Sequence, residues 1–484
     1  MTTQGSLKLT LSLQDFPAIF GLMTAVLFPS TSTNWLTACV AEWQGIELIT
    51  DSTQVGKLSQ DWHHFSPILS RQLVDKRAHV VARPVDEAQV IRIARTCAQK
   101  RIPITLRGGG TGNYGQAVPL YGGVVLDLSR MQRIVWVKPG LARVEAGVRL
   151  TALDKEARKM HWELRMFPST AATSTYGGFL GGGFGGVGSV NYGILKEPGN
   201  VYAVRVVTLE EEPRVLELRG SDVRQVTHSW GISGIITELE ISLARAQPWA
   251  ECIIAFSNVM DSVRFGFDLA KAPGIPTRLV SQHAWPIPSY FTALRDHIPS
   301  GSHCVLAIFV EPGYEALQAL AKEHGGTLCW VKAAADAGKG TTLTDYCFNH
   351  TTLHARAADP GLTYIQSRFP ADPAESLRLI EQMIDHFGEE VVMHIEFQRV
   401  GGQVIAGGGQ VVRYSTPERL QEIMAFHEQY GVTIPNPHTY ILEEAGKKVV
   451  DPKQVLFNQQ VDPYGLLNPG KTLSRPVSNG ISCA

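Results

Sequence analysis

The sequence predicts an α+β or α/β chain whose texture changes near residue 246. Three observations carry this. From His79 onward short hydrophobic strands alternate with an amphipathic helix. Two glycine-rich runs sit among these strands, where a linker has no place. At Arg245-Ala-Gln-Pro248 the texture changes to a longer alternation of strands and amphipathic helices, which lasts to about residue 450. A length of 484 residues suits several domains at roughly 100–200 residues each. The expected divisions are an N-terminal segment 1–70, a first domain 71–245, a second domain 246–450 and a C-terminal segment 451–484.

His79-Val-Val-Ala-Arg83 reads as the first strand. Pro84 then opens a helix to about Lys100, with Val90, Ala94 and Cys97 on one face. Ile102-Pro-Ile-Thr-Leu106 is the second strand and runs directly into Arg107-Gly-Gly-Gly-Thr-Gly-Asn113. Residues 123–128, 133–137 and 142–146 follow as strands, and 202–209 with 214–218 as a hairpin around Glu210-Glu-Glu-Pro213. In the second half, strands are expected at 252–256, 305–310 and 391–397. One helix there is fully signed: Asp372 caps it, Pro373 and Glu375 form its first turn, Leu377, Ile380, Ile384 and Phe387 face one way, and Gly388 ends it.

Composition excludes several classes. Lys+Arg (44) balance Asp+Glu (45), so the net charge is −1, which argues against a nucleic-acid surface or a polybasic membrane surface. The seven cysteines are odd in number and never spaced C-x-x-C, so no disulfide framework, zinc ribbon or iron–sulfur run is expected. No metal site is expected either. The apolar run at residues 16–29 is too short to span a bilayer. Leu36-Thr-Ala-Cys39 resembles a lipoprotein cleavage box, but Ser30-Thr-Ser-Thr-Asn-Trp35 separates it from that run, and Lys8 is the sole cation upstream. A cytoplasmic protein without a transmembrane segment is the expectation, with export or lipid anchoring as the alternative.

The glycine excess is local: nine of the seventeen residues from Gly177 to Gly193 are glycine. Gly110-Thr-Gly-Asn-Tyr-Gly115 and Gly181-Gly-Gly-Phe-Gly-Gly186 both match G-x-G-x-x-G. A dinucleotide turn needs a strand before, a helix after and an acidic residue ~20 positions on. The first match has the strand but continues into another strand, and the second lacks both flanks. Neither carries the Gly-Lys-Ser/Thr of a nucleotide-hydrolysing loop. Successive glycine amides can still converge on an anion, and two such nests suit a ligand with two phosphates.

Arg107-Gly-Gly-Gly-Thr-Gly-Asn113 followed by Thr175-Tyr-Gly-Gly178 resembles the two cofactor loops of the vanillyl-alcohol oxidase / p-cresol methylhydroxylase (PCMH-type) flavoprotein superfamily. Ser189-Val-Asn-Tyr-Gly193, Gly231-Ile-Ser-Gly-Ile-Ile-Thr237 and the segment from Asp462 to Lys471 resemble three further elements of that family, the last being its C-terminal return. The resemblance implies a PCMH-type FAD-binding domain of two α/β subdomains plus an inserted α+β cap over the substrate. It implies that Arg107, Gly108, Gly109, Gly110, Thr111, Gly112 and Asn113 hold the pyrophosphate. Pro168, Ser169, Thr175, Gly177, Gly178 and Ser189 would line the second loop, Ile235 and Ile236 would lie at the adenine side, and Asn468 and Lys471 would lie in the return. Some members bind flavin covalently through a first-loop His; Gly109, Gly110 and Thr111 stand in that stretch here, so non-covalent FAD is expected.

In Val391-Val-Met-His-Ile-Glu-Phe-Gln398, strand alternation puts His394, Glu396 and Gln398 on one face. His394 or Glu396 could take a hydroxyl proton as hydride leaves for the flavin; the alternative is a solvated sheet face. His438 and Tyr440 form a second candidate pair, and Arg399 and Arg413 are candidates to neutralise a substrate carboxylate. His228 and Trp230 are expected near the flavin rim. The flavin half most resembles glycolate and D-lactate dehydrogenases, though the His-x-Gly-Asp-Gly-Asn and Glu-His-Gly segments of those enzymes are not intact here. The expected activity is FAD-dependent oxidation of a hydroxyl-bearing small molecule, first a 2-hydroxy acid. An alcohol, sugar or secondary-metabolite oxidase and a non-catalytic nucleotide-binding protein are the alternatives. The electron acceptor stays open between oxygen, a quinone and a redox protein.

Overall fold

A computed structural model describes residues 34–445 and 451–475. The apolar run at 16–29 and Cys483 lie outside them. In chain order the strands are β1 (Glu47–Ile49), β2 (Val80–Arg83), β3 (Ile104–Arg107), β4 (Val124–Asp127), β5 (Ile134–Lys138), β6 (Leu141–Glu145), β7 (Trp162–Leu164), β8 (Val201–Val207), β9 (Val215–Arg219) and β10 (Ile235–Arg245). There follow β11 (Trp249–Phe256), β12 (Thr277–His283), β13 (His303–Val310), β14 (Thr327–Lys332), β15 (Leu362–Arg368), β16 (Val391–Val392), β17 (His394–Val400) and β18 (Gln403–Arg413).

They form three sheets. The first has the order β1-β2-β4-β3 and is parallel except for β1. Parallel neighbours need a covering crossover, and the helix Glu87–Gln99 supplies it, packing Val90, Ile93, Ala94 and Cys97 on Val80, Ala82, Val124 and Leu126. The opposite face buries Val81 and Val125 under Ile49 and Val55, so these strands read as unbroken hydrophobic runs. That helix begins at Glu87 and not at Pro84, because Asp86 caps it through the Gln89 amide. The second sheet is antiparallel, β5-β6-β10-β8-β9, with β7 on the far end of β10. The third, β14-β11-β13-β12-β17-β18-β15 with β16 on β18, draws every strand from residues 249–413. Its helix Pro373–Phe387 starts and stops at the signed residues: Asp372 accepts from the Glu375 amide at 2.8 Å, and Gly388 has φ +52°.

Residues 34–72, hard to assign by pattern, fold into three helices with β1 paired to β2 between the first two. Cys39 is buried inside the helix Asn34–Glu42, where burial raises its thiol to about 11. The other described cysteines are unbonded as well. Among the described residues no helix is long and apolar enough to cross a membrane.

A buried ionic joint fastens the second sheet to the third. Glu163 of β7 is fully buried and accepts from Trp249 Nε1 of β11 at 2.8 Å and from Arg158 at 2.7 Å. Arg278 of β12 lies 3.6 Å from the same carboxylate, and its guanidinium also donates to the Leu164 carbonyl. Burial raises the Glu163 carboxyl and lowers the Arg278 guanidinium, so each ion depends on the other to remain charged. Glu163→Gln keeps the shape but strands a buried cation. It is expected to destabilise the protein by about 3 kcal/mol or more, read as a lower urea midpoint in equilibrium unfolding.

Candidate functional site

β3 ends at Arg107 and the chain enters the first glycine loop. A Cβ on Gly108 would sit 2.2 Å from Thr175 Oγ1, and one on Gly109 would sit 2.3 Å from the Thr173 carbonyl. The two loops therefore meet at a distance that no residue with a side chain permits. Gly110 adds φ +65°, which turns the chain back under the loop. Among the described residues, none of the backbone N–H groups from Gly108 to Asn113 donates to a protein acceptor. Consecutive unpaired amides facing a cavity are a nest for phosphate oxygens, and the residues present fit a pyrophosphate-bearing cofactor. Arg107 donates to the Gln60 carbonyl at 2.5 Å, and burial lowers its guanidinium.

The second loop starts at Thr175, which caps the helix Tyr176–Gly182. The second G-x-G-x-x-G match thus begins on the last turn of a helix. Between the two loops and the third sheet lies a cavity of about 520 Å³. Arg107, Gly108, Gly109, Gly110, Thr111, Gly112 and Asn113 line it on one side, and Pro168, Ser169, Thr175, Gly177 and Gly178 on another. Ile236 lines it, whereas Ile235, one residue earlier on β10, points into the core. His228 and Trp230 line it too.

Three expected cofactor residues stand behind the loops. Ser189 Oγ accepts from the Gly186 amide at 2.8 Å and shapes the turn. Asn468 donates to the carbonyls of Gln116 and Trp230 at 2.7 and 2.6 Å, and its own amide donates to Ile104. Lys471 is fully buried and donates to the Gly115 carbonyl at 2.6 Å; burial lowers its ammonium to about 7. These groups brace the cavity wall from outside.

The candidate substrate residues separate. Glu396 and Gln398 of β17 line the cavity; His394 does not. His394 is wholly buried behind Glu396, with Nδ1 3.0 Å from the Gly409 carbonyl and Nε2 2.9 Å from Glu396 Oε1. The same Oε1 accepts from Ser281 Oγ at 2.8 Å and from the Phe348 amide at 2.5 Å. Nδ1 faces a carbonyl and so donates, and Nε2 faces Glu396 Oε1 and, at 3.3 Å, Thr351 Oγ1. His283 stacks on His394 at 4.7 Å, and burial with that neighbour keeps it neutral. Glu396 Oε2 is buried without a hydrogen-bond partner.

His438 and Tyr440 lie outside the lining. His438 bridges Ser66 Oγ and the Tyr364 carbonyl, both at 2.8 Å, and Tyr440 packs its ring under Lys471. Arg399 is spent on the carbonyls of Val190 and Gly402, and Arg413 on exposed Asp359. The arginines that reach the cavity are Arg107 and Arg368. Asp61, Trp62, Lys196, His350 and Gln366 also line it and carried no motif. One signal marked the region: Gly407-Gly-Gly409 inside β18, since glycine in a strand interior marks a close approach. Among the described residues no cluster of His, Cys, Asp and Glu suits a metal ion.

Residues 78–216 match the FAD binding domain family. The chain is 31% identical over 187 residues to glycolate oxidase subunit GlcD of Escherichia coli strain K12, covering 37% of each chain. It is 29% identical over 203 residues to D-lactate dehydrogenase of Archaeoglobus fulgidus, covering 40% of this chain and 45% of that one. The match thus spans less than half the length of these two relatives. Glycolate oxidase subunit GlcD of Bacillus subtilis aligns over 425 residues at 23% identity, 82% of this chain and 89% of that one. In three dimensions the chain resembles alkyldihydroxyacetonephosphate synthase, with a TM-score of 0.70, 17% identity and coverage of 92% of this chain and 86% of the other. The domain at 78–216 is an FAD-binding domain, and FAD is the cofactor.

Gly109→Ala cannot be accommodated without parting the two loops. It is expected to weaken FAD retention at least tenfold, about 1.4 kcal/mol, measured as flavin per protein after gel filtration. A second expectation concerns acid. Burial holds His438 and His350 at about 4 and His283 well below 6.5 in the fold, while in the unfolded chain they titrate near 6.5. The unfolded state therefore binds more protons, and stability present above pH 6.5 falls as the pH drops toward 4. His438→Gln should flatten that slope, by on the order of 3 kcal/mol between the two limits, in urea titrations across the range.

Proposed function

We propose that this PCMH-type FAD-binding protein oxidises a hydroxyl-bearing small molecule, a 2-hydroxy acid such as glycolate or D-lactate first among them, with Glu396 as the base that takes the hydroxyl proton. Bound FAD supplies the two-electron oxidant for such a reaction. The observation that carries the reading is Glu396 Oε2: a buried carboxylate oxygen, unpartnered, on a residue that lines the cavity beside the glycine loops. The backbone from Gly108 to Asn113 would hold the pyrophosphate, with Pro168, Ser169, Thr175, Gly177 and Gly178 on the second side and Ile236 against the adenine half.

Ser281, the Phe348 amide and His394 hold Oε1, and a small turn of the carboxyl group would bring the unpartnered Oε2 to the substrate hydroxyl. His394 acts as a positioning group, held in turn by the Gly409 carbonyl. Gln398, two residues along the same face, is placed to orient the substrate. The hydroxy-acid choice is supported by what the relatives are named for, glycolate and D-lactate oxidation.

Anaerobic addition of glycolate, D-lactate, simple alcohols and sugars to the FAD-loaded protein, followed at the flavin absorption band, tests this. Glu396→Gln is expected to keep FAD and lower the bleaching rate by at least 10²-fold. Unchanged bleaching in that variant would remove Glu396 from the reaction, and a flavin that none of these compounds bleaches would remove the oxidation itself.

A further inference from the structure

We propose that Arg368 and Lys196 together seat a negatively charged group of the substrate in the cap, making this a site selective for hydroxylated organic anions. The proposal deepens the reading above and rests on it for the position of the reacting carbon.

Register places Arg368 where such a group would be needed. Ser281, Glu396, Gly407 and Arg368 lie directly opposite one another across β12, β17, β18 and β15. Residues in such a row share one face of a sheet, here the face toward the cavity that Glu396, Gly407 and Arg368 all line. Base and guanidinium thus stand two strand spacings apart, about 10 Å at Cα, with only a glycine between them. Lys196 comes to the same cavity from the opposite wall, just beyond the second glycine loop.

Neither cation has a contacting counter-charge among the described residues. Among the described residues neither has an ion pair or a side-chain hydrogen bond, and Arg368 rests over the Phe184 ring at 5.0 Å. Several other partly buried arginines pair with carboxylates, Arg83 with Asp127, Arg143 with Glu238 and Glu240, Arg205 with Glu87, and others donate to backbone carbonyls, as Arg107 and Arg399 do. Asp451 does act on Lys196 at a distance, but its carboxylate is committed to capping the helix Pro452–Val461. Burial lowers both groups, and Arg368 lowers Lys196 further. Two like charges sharing a half-buried cavity repel, and a ligand anion between them relieves that cost. A carboxylate suits the planar fork of Arg368, while Lys196 serves any anion as a point charge.

The test uses the FAD-loaded protein and probes that need no turnover. Propionate, which is lactate without its hydroxyl, its neutral counterpart propionamide, and inorganic phosphate are titrated while the flavin spectrum is followed. Propionate is expected to bind at least tenfold more tightly than propionamide. Arg368→Gln should raise its Kd at least tenfold and Lys196→Gln several-fold, while Arg368→Lys restores part of the loss and all three keep FAD. Tighter phosphate than propionate binding, with the same dependence on both residues, would support the anion seat and assign it a phosphorylated substrate. Anion binding no tighter than propionamide, or unaltered by the variants, overturns the proposal. So does a loss that falls equally on bleaching by D-lactate and by 1,2-propanediol, since the cations would then serve the flavin. If no hydroxylated compound bleaches the flavin while propionate still binds through Arg368, the oxidation reading fails and the anion seat stands. Should Arg368→Gln not fold, Arg368→Lys and Lys196→Gln decide alone.

Discussion

Gly108 and Gly109 lie so close to Thr175 and Thr173 that a single methyl group at either position would overlap the opposite loop. That contact sets the floor of the cavity. It brings the carboxyl end of β3 against the start of the helix Tyr176–Gly182, and six successive amides, Gly108 to Asn113, have no acceptor among the described residues. Unpaired backbone donors are costly in a dry interior, so the arrangement is stable only when an anion or water takes them. Asn468 and Lys471 brace it from outside, and their side chains tie backbone groups of separate segments together.

The third sheet completes the enclosure by direct bonds to the first loop. Asn113 donates to the Tyr364 hydroxyl, and Tyr114 donates to Gln366, both on β15. The Glu163–Arg278 joint is a second fastening of the third sheet to the rest of the chain.

Strands and glycine loops were legible in the sequence because backbone geometry demands particular residues there. Arg107 to Asn113 between two hydrophobic strands, and Asp372 with Gly388 around an amphipathic run, admit few other structures. Strand alternation also put His394, Glu396 and Gln398 on one face, as they are. Alternation gives direction and not depth, however. Nothing in the spacing told that His394 would be sealed behind Glu396, or that Arg399 and Arg413 would be consumed by surface partners while Arg368 was left facing the cavity. Lys196, Trp62 and His350 reach the site from loops and short helices whose positions tertiary packing alone decides.

The order of His394 and Glu396 has a chemical consequence. A histidine in front would present a base whose charge changes near neutral pH. Here the imidazole is buried, with Nδ1 on the Gly409 carbonyl and Nε2 on Oε1, and Glu396 lines the cavity wall. Ser281 and the Phe348 amide add two more donors to Oε1. All of these donors converge on one oxygen, which leaves Oε2 buried and, among the described residues, without a partner. The glycine at 407, between Glu396 and Arg368 in the same row, is required by packing, because a Cβ there would come within 2.9 Å of the Ser367 carbonyl oxygen.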